Sequence, residues 1–230
     1  MNTGDLRIFT DTWSLYDRVL LGNYMFHEEI FRVVGDLLST RCRPGEFRIL
    51  DLGCGNARHL ASILIGRPPA LYAGYDLSAS ALCQARSQLD ALPCPSDLRQ
   101  ADFRDAFHTL ANPFGVIFSS FAVHHLSFDQ KQQFFLDARN LLAPGGFLLL
   151  VDTSREADED REAYLRNYCQ WVHADWSALS AGDLAAIEDH IRKRDFPETS
   201  AAIQTMAASA GFRRSAVVAR YRWHRTWLLE

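Results

Sequence analysis

Hydrophobic and polar positions along this 230-residue chain follow two different periods. Short, nearly uninterrupted apolar runs are typical of strands buried on both faces. They are separated by longer segments in which apolar residues recur every third or fourth position, as on one face of a helix. The two kinds of segment alternate from residue 44 to residue 152. This alternation predicts an α/β fold with a doubly wound, mostly parallel, seven-stranded sheet and right-handed crossovers.

The strand positions follow from the apolar runs. The parallel strands are predicted as a run ending in Asp51, residues 71–75, a short stretch near Leu98, residues 116–119 and residues 147–151, and residues 212–218 and 221–228 are predicted to form an antiparallel hairpin at the end of the sheet. Ser78 and Ser127 are predicted helix N-caps, because a serine hydroxyl accepts a hydrogen bond from a free amide of the first turn. Pro144-Gly145-Gly146 is predicted to form a turn before the fifth strand.

Two segments do not fit the alternation. The chain begins with two predicted helices, one ending near Gly22 and one extending to about Thr40, and the segment after Asp152 also has helical patterns. The N-terminal helices either pack against an edge of the sheet or roof a ligand site. The second alternative arises because ligands in open α/β sheets bind at the carboxyl ends of the strands, where they need a cover.

Composition limits the classes of partner. A net charge of −4 provides no positive field for nucleic acid. The five cysteines are scattered, odd in number and form no C-x-x-C pair, so neither a disulfide framework nor a metal site is predicted. This usage favours a cytoplasmic protein. No segment resembles a signal peptide or reaches the length of a membrane span.

The segment FRILDLGCGNARHL, residues 47–60, predicts a strand, a glycine turn and the start of a helix. Asp51, Asp76 and Asp102 end the first three predicted strands and should lie at one rim of the sheet. Asp76 follows the turn by about 20 residues, the spacing at which a carboxylate meets ribose hydroxyls. Asp51 would repel a pyrophosphate, and Arg58 stands where a dinucleotide motif has its third glycine. The expected ligand therefore combines an adenosine with a cation.

Five motifs then occur in order: ILDLGCGNARHL, YAGYDLS, QADFRD, VIFSSFAVHHL and LLAPGGFLLLVD. Together they resemble the successive motifs of class I S-adenosylmethionine-dependent methyltransferases, over roughly residues 16–152 and the C-terminal hairpin. The sequence departs from the family at Ala57, where a third glycine is common. The resemblance implies a single domain over residues 1–230, with an N-terminal helical cap at 1–43, a Rossmann-like core at 44–152 and 199–230, and a helical insertion or lid at 153–198.

The resemblance also implies a site for S-adenosylmethionine, with S-adenosylhomocysteine as product. Its residues would be Tyr16, Asp51, Gly53, Cys54, Gly55, Asn56, Asp76, Leu77, Asp102, Phe103, Ser119 and Ser120. Asp51 and the glycine turn would hold the methionine part, and Asp76 both ribose hydroxyls. Leu77 and Phe103 would flank the adenine, while Asp102 accepts from its amino group. Tyr16 would close over the cofactor, and the two serines would lie near the transferred methyl group.

His124 and His125 are the candidate catalytic residues, because they follow the fourth strand where the methyl acceptor should lie. One of them would orient or deprotonate the acceptor; alternatively, His125 packs under the following helix. Candidate acceptor-binding residues are Tyr24, His27, His173 and Trp176. A core position is the alternative interpretation for most aromatic residues of this set.

The predicted reaction is methyl transfer to an O, N or S atom of a small molecule by in-line displacement. Methylation of exocyclic base amines is disfavoured, because residues 119–122 read SSFA instead of an Asn- or Asp-Pro-Pro-aromatic motif. The alternatives are a non-catalytic cofactor-binding module, an RNA or protein methyltransferase, and an NAD-dependent oxidoreductase. A basic strand with Arg220, Arg222 and His224 is either a charged edge strand or a contact for an anionic substrate. The sequence does not predict the oligomeric state.

Overall fold

The computed structural model describes residues 13–230 of the chain. The start of the predicted N-terminal cap, residues 1–12, lies outside the described residues. The sheet has the strand order β3-β2-β1-β4-β5-β8-β7, and a short β6 pairs with β5 off this path. The strands are β1 (Arg48–Leu52), β2 (Leu71–Asp76), β3 (Ser96–Gln100), β4 (Phe114–Ser120), β5 (Leu142–Arg155), β6 (Glu198–Thr199), β7 (Ser215–Tyr221) and β8 (His224–Leu229).

Helices lie on both faces of the sheet. They are α1 (Trp13–Leu21), α2 (His27–Arg41), α3 (Arg58–Leu64), α4 (Ala79–Leu89), α5 (Ala106–Thr109), α6 (Phe128–Leu141), α7 (Arg161–Asp175), α8 (Ala181–Arg194) and α9 (Ser200–Ser209). The pairs among β1 to β5 are parallel, and β8 is antiparallel to both β5 and β7. The predicted doubly wound sheet with a C-terminal antiparallel hairpin is thus confirmed.

The central strands are buried on both faces, which explains their continuous apolar runs. Leu50, Ile117 and Leu148 belong to one apolar layer, which α6 and α9 cover. Ile49 and Leu149 belong to the opposite layer. Because side chains alternate along a strand, neighbouring residues supply both layers, and the polar strand ends remain as the place where a ligand can reach the sheet.

Serine caps position the two helices that begin beside the polar strand ends. The Ser78 hydroxyl accepts from the backbone N–H of Ala81, and Ser127 forms a complete capping box with Gln130. Both predicted N-caps are confirmed. The helix that Ser78 caps, α4, ends at Leu89.

The predicted turn at Pro144-Gly145-Gly146 is a bulge inside β5. Phe114 pairs with Leu142, whereas Val116 pairs with Phe147, so β5 advances five residues while β4 advances two. Gly146 fits there because a Cβ would lie 2.9 Å from the carbonyl oxygen of Gly115. The strand also extends beyond the predicted end at residue 151, to Arg155, because β8 continues to pair with it as far as Thr153.

The insertion packs against the N-terminal helices to form a third apolar cluster. Leu15 and Val19 of α1 meet Tyr168 and Val172 of α7 and Ile191 of α8. This packing places the insertion over the carboxyl ends of the strands rather than beside the sheet. Within residues 13–230, no helix is long and apolar enough to cross a bilayer.

Candidate active site

A cavity of about 340 Å³ opens at the carboxyl ends of the strands. Its floor includes the glycine turn after β1, the end of β2 and the segment after β4. Its roof comes from α1 and from the insertion helices. Residues on the roof side are Leu15, Tyr16, Val19, Tyr168, Trp176, Ile187, His190, Ile191 and Asp195. A second pocket of about 60 Å³ adjoins the glycine turn and shares Tyr16, Gly53, Gly55 and Ser120 with the main cavity.

The two N-terminal helices have different roles. The sequence left open whether they pack against the sheet or roof the ligand site. In α1, Leu15, Tyr16 and Val19 line the main cavity, so this helix is part of a roof. In α2, Ile30 and Val34 are fully buried in the apolar layer on one face of the sheet, so this helix is part of the core.

The glycine turn approaches the chain after β4 closely. Gly53 has φ +75°, and a Cβ there would lie 2.7 Å from the Cβ of Ala122, so only glycine fits. The backbone N–H groups of Gly53 and Cys54 both donate to the carbonyl oxygen of Tyr75, at 2.9 and 3.0 Å. These amides already have acceptors within the protein, which argues against a pyrophosphate held by this turn.

Asp76 lies at the end of β2 and lines the main cavity beside Leu77. Its carboxylate oxygens accept from the backbone N–H groups of Gly55 and Ser78, each at 2.8 Å. Burial raises the pKa of Asp76, although these backbone hydrogen bonds oppose the rise. The backbone of Leu77 also donates to this carboxylate. A carboxylate offers about four acceptor positions, so Asp76 is held rigidly and can still accept from a ligand.

Asp51 faces the smaller pocket, together with Cys54 and Asn56. It is only 2% exposed, and the Tyr72 hydroxyl donates to its Oδ2 at 2.5 Å. Burial raises the pKa of Asp51 to about 7, and the Tyr72 hydrogen bond partly counteracts this effect. A buried carboxylate without a cationic partner is a site that a ligand cation would stabilise.

Asp102 lies at the rim of the main cavity beside Phe103. The Arg104 guanidinium donates to its two oxygens at 2.9 and 2.5 Å. Burial raises the pKa of Asp102, but the hydrogen bonds from Arg104 outweigh burial and leave the pKa below its ordinary value. Asp102 is therefore ionised, and both of its oxygens already accept hydrogen bonds from Arg104.

Several predicted site residues lie elsewhere than expected. Ser120 lines both pockets, but Ser119 is fully buried and its hydroxyl donates to the carbonyl oxygen of Leu52, so its predicted place beside the methyl group is wrong. Successive residues of a strand face opposite sides, which allows only one of the two serines to face the site. His173 is exposed and pairs with Glu188 at 2.7 Å, so it does not line the cavity as predicted.

The remaining candidate acceptor-binding residues are divided between the two pockets. Trp176 lines the main cavity, and Tyr24 stacks on it from behind with ring centroids 5.2 Å apart. His27 lines only the small pocket, where both of its ring nitrogens are buried without a hydrogen-bond partner. Burial and the nearby His59 lower the pKa of His27 to about 3. Tyr24 and His27 therefore do not contact the large cavity directly.

His124 is held between two carboxylates at the wall of the main cavity. Its backbone N–H donates to Asp152 Oδ2 at 2.9 Å, and its Nδ1–H donates to Asp152 Oδ1. Its Nε2 lies 3.5 Å from Asp195 Oδ1. Burial alone would lower the pKa of His124, but Asp152 and Asp195 outweigh burial and raise it to about 10.

His125 lies on the same wall, but its pKa is shifted in the opposite direction. Burial and the neighbouring His124 lower its pKa to about 3. Its Nδ1 lies 3.1 Å from the carbonyl oxygen of Arg194 and 3.6 Å from Asp195 Oδ1. His190 is next to it, with ring centroids 5.3 Å apart.

Asp195 and His190 were not predicted as site residues. They belong to the insertion, about 70 residues from the histidine pair, and neither has a motif of its own. The only available signal was their position near the end of a helix predicted to cover the site.

The basic C-terminal strand does not line the cavity. Arg220 pairs with Glu156 at 2.8 Å and Arg222 with Asp175 at 3.1 Å, both near the surface. His224 is fully buried and contacts the Tyr168 hydroxyl at 2.9 Å. Only Arg220 lies in the edge strand β7; Arg222 lies in the turn before β8, and His224 begins β8, which is interior to the sheet. The three residues therefore do not form the predicted single basic strand.

The chain is similar to methyltransferases in sequence and in fold. A family model described as a methyltransferase domain matches residues 49–146. The uncharacterized methyltransferase OB1106 of Oceanobacillus iheyensis is 26% identical over 155 residues, covering 67% of this chain and 70% of that protein. The trans-aconitate 2-methyltransferase of Acidovorax sp. strain JS42 is 31% identical over 163 residues, covering 70% of this chain and 60% of that protein. Among solved structures, the DhpI-SAM-HEP complex aligns with a TM-score of 0.61 and 16% identity, over 94% of this chain and 91% of that one.

Proposed function

Because this chain belongs to the class I S-adenosylmethionine-dependent methyltransferases, we propose that it methylates a small, largely apolar molecule held between the sheet and the insertion. The observation that carries this proposal is the continuity of the main cavity. It extends from Gly53, Asp76 and Asp102 at the sheet to Trp176 and Ile187 in the insertion. One continuous cavity thus contains both the expected cofactor residues and, under the insertion, an apolar chamber lined by residues such as Trp176 and Ile187.

The cofactor would lie across the glycine turn, with its two ends in the two pockets. Asp76 is proposed to accept from the ribose hydroxyls, using the lone pairs that the backbone amides leave free. Leu77 and Phe103 would flank the adenine, and Asp102 would accept from its amino group. Asp51 would pair with the ammonium group in the small pocket. Tyr16 lines both pockets and would cover the junction between the two ends of the cofactor.

The shape of the chamber favours a small acceptor over a macromolecule. Its roof is made of apolar side chains from three helices, among them Leu15, Val19, Ile187 and Ile191, and the aromatic rings of Tyr168 and Trp176 complete the lining. An RNA site would need an exposed basic groove, whereas this chamber is covered by the insertion. An apolar molecule gains about 25 cal/mol for each Å² that it buries there.

When bound, S-adenosylmethionine supplies an electrophilic methyl group. The chain's own task is to hold the acceptor atom in line with the sulfur–methyl bond, at about 3 Å, and to exclude water. Ser120 and His125 lie where the cofactor rim meets the chamber, so they are proposed to orient the acceptor. His124 would support His125 from behind through its fixed hydrogen bonds with Asp152.

Calorimetric titration with S-adenosylhomocysteine tests the cofactor assignment, with NADH as the parallel ligand. We expect binding of S-adenosylhomocysteine alone. The matched variants are Asp76→Ala and Asp90→Ala, since Asp90 is exposed and lies outside both pockets. Loss of the charge-assisted contact should weaken binding by about 2–3 kcal/mol in Asp76→Ala only. Equal affinity in the two variants, or binding of NADH alone, would refute the assignment.

The acceptor is then sought among small aromatic and aliphatic molecules with a hydroxyl, amine or thiol group. Turnover is followed by the release of S-adenosylhomocysteine. A protein that binds S-adenosylhomocysteine but methylates neither these molecules nor RNA or protein would contradict the enzymatic part of the proposal.

A further inference from the structure

Two imidazole rings and one carboxylate converge on the wall of the main cavity. His124 and His125 lie in the short turn after β4, and Asp195 immediately follows α8 of the insertion. One nitrogen of each ring and one oxygen of the carboxylate lie within 4.8 Å of one another. All three side chains line the cavity, so the group is adjacent to the space proposed for the acceptor.

The oxygen at the centre of this group has no hydrogen-bond partner. Asp195 Oδ1 is buried, and its nearest ring nitrogens are His124 Nε2 at 3.5 Å and His125 Nδ1 at 3.6 Å. These separations are longer than hydrogen bonds. Ligands about 2.0–2.2 Å from a tetrahedral metal ion lie about 3.3–3.6 Å apart, as the edges of that tetrahedron. We propose that His124, His125 and Asp195 bind a divalent transition-metal ion such as Zn²⁺.

The surroundings of His124 are those of a metal ligand. Its Nδ1–H donates to Asp152, and its Nε2 is directed toward Asp195. Because the two carboxylates favour the protonated ring, a metal ion bound here displaces the Nε2 proton. Asp152 is in turn held by the backbone N–H groups of His124 at 2.9 Å and Thr153 at 2.8 Å. A carboxylate that holds the non-coordinating nitrogen of a histidine is the common second layer of protein metal sites, because it sets the tautomer and the orientation of the ring.

His125 needs a small adjustment to bind the ion. Its Nδ1 also lies 3.1 Å from the carbonyl oxygen of Arg194, to which it donates when that nitrogen is protonated. A metal ion takes the place of this proton, because a ligand nitrogen must be deprotonated. Arg194 directly precedes Asp195 in the chain, so the ring only has to turn from one residue to the next.

The composition of the group fits a transition metal better than calcium or magnesium. Imidazole nitrogens favour ions such as Zn²⁺, Ni²⁺ and Fe²⁺, whereas Ca²⁺ and Mg²⁺ prefer all-oxygen sites. Three protein ligands leave a fourth position open toward the cavity. An acceptor oxygen bound at that position would be oriented and made more acidic. This catalytic role rests on the proposed function, but the metal site does not.

The test is calorimetric titration of tag-free, chelator-treated protein with zinc chloride. We expect one ion per chain in the wild type and at least tenfold weaker binding in Asp195→Asn. Asp189→Asn is the matched control, because Asp189 lies on α8, which Asp195 follows directly, and it is exposed and pairs with Lys193. Cobalt(II) provides a second readout, since a four-coordinate site with nitrogen ligands gives visible absorption that Asp195→Asn should lose.

The proposal is overturned if the wild type binds no zinc, or if the two variants bind it equally. The folding of each variant is checked by circular dichroism, and His125→Gln replaces Asp195→Asn if the latter is unfolded. S-adenosylhomocysteine binding is measured on the same samples. A protein that binds zinc but not S-adenosylhomocysteine refutes the proposed function alone, whereas the opposite result refutes only the metal site.

Discussion

The pKa of Asp51 makes cofactor affinity depend on pH in a range that is easy to measure. In the ligand-free protein, burial raises this pKa to about 7. The proposed partner of Asp51 is the ammonium group of the cofactor, which binds the ionised carboxylate. Protonation of Asp51 therefore competes with the ligand. Affinity should approach its maximum at about pH 8 and decline as the pH falls through 7.

The size of the effect follows from the ionised fraction of Asp51. With a pKa of about 7, this fraction falls from about ten elevenths at pH 8 to about one eleventh at pH 6. The dissociation constant of S-adenosylhomocysteine should rise about tenfold over this interval, which corresponds to about 1.4 kcal/mol. Asp51→Asn removes the titrating group, so its affinity should be weak and independent of pH.

Other groups in the small pocket do not produce the same profile. The pKa of His27 is lowered to about 3, and that of His59 is also lowered, in both cases mainly by burial. Burial raises the pKa of the Cys54 thiol well above its ordinary value and also raises that of the Tyr16 hydroxyl. None of these shifts brings a group of the small pocket toward pH 7, but burial also raises the pKa of Asp76 in the neighbouring cavity, so the Asp51→Asn variant decides whether the midpoint belongs to Asp51.

Tyr72→Phe provides an independent check of that assignment. The Tyr72 hydroxyl donates to Asp51 and favours its ionised form. Removing the hydroxyl should move the midpoint of the affinity profile to higher pH without changing the affinity at its plateau. Calorimetry at half-unit steps from pH 5.5 to 9 measures both properties. A wild-type affinity constant within twofold between pH 6 and pH 8, or the same slope in Asp51→Asn, would refute the reasoning.

Three further changes test the fold and the site. Ala57→Gly should stabilise the protein by about 0.5–1 kcal/mol, because Ala57 has φ +55°, which is costly for any residue with a Cβ. The control Ala61→Gly, inside α3, should instead destabilise the protein by about 1 kcal/mol. A loss of stability in both variants would contradict this account. Lys131→Ala should lower the free energy of unfolding by about 3 kcal/mol in a urea titration, because the buried ammonium binds Glu198 at 3.0 Å. A loss below about 0.5 kcal/mol would show that the pair is dispensable. Asp76→Ala should lower cofactor affinity and also lower the free energy of unfolding by about 1–3 kcal/mol, because the backbone N–H groups of Gly55 and Ser78 lose their acceptor. A urea titration that shows unchanged stability would contradict the role of these hydrogen bonds.

Local sequence determined the elements of the sheet and the rim of the site. Apolar runs mark β1, β2, β4 and β5 because strands covered on both faces bury nearly every side chain, and serine caps mark two helix starts through hydrogen bonds within one turn. The glycine turn and the three aspartates are also local, because each follows directly from where a strand ends. These features depend on residues close together in the chain, so their patterns can be recognised without knowing the tertiary structure.

Only the tertiary structure decided which polar groups meet. The bulge in β5 depends on how that strand pairs with β4, and Tyr72 reaches Asp51 only because β1 and β2 lie side by side. Asp195 meets the histidine pair because the insertion folds back over the strand ends, a contact about 70 residues apart that leaves no periodic pattern. The sequence by itself determined the positions of the strands, caps and turns, because backbone hydrogen bonding and burial require particular residues at those places. The partners of the buried charges depended on packing between distant segments, because electrostatic interactions act through space and not along the chain.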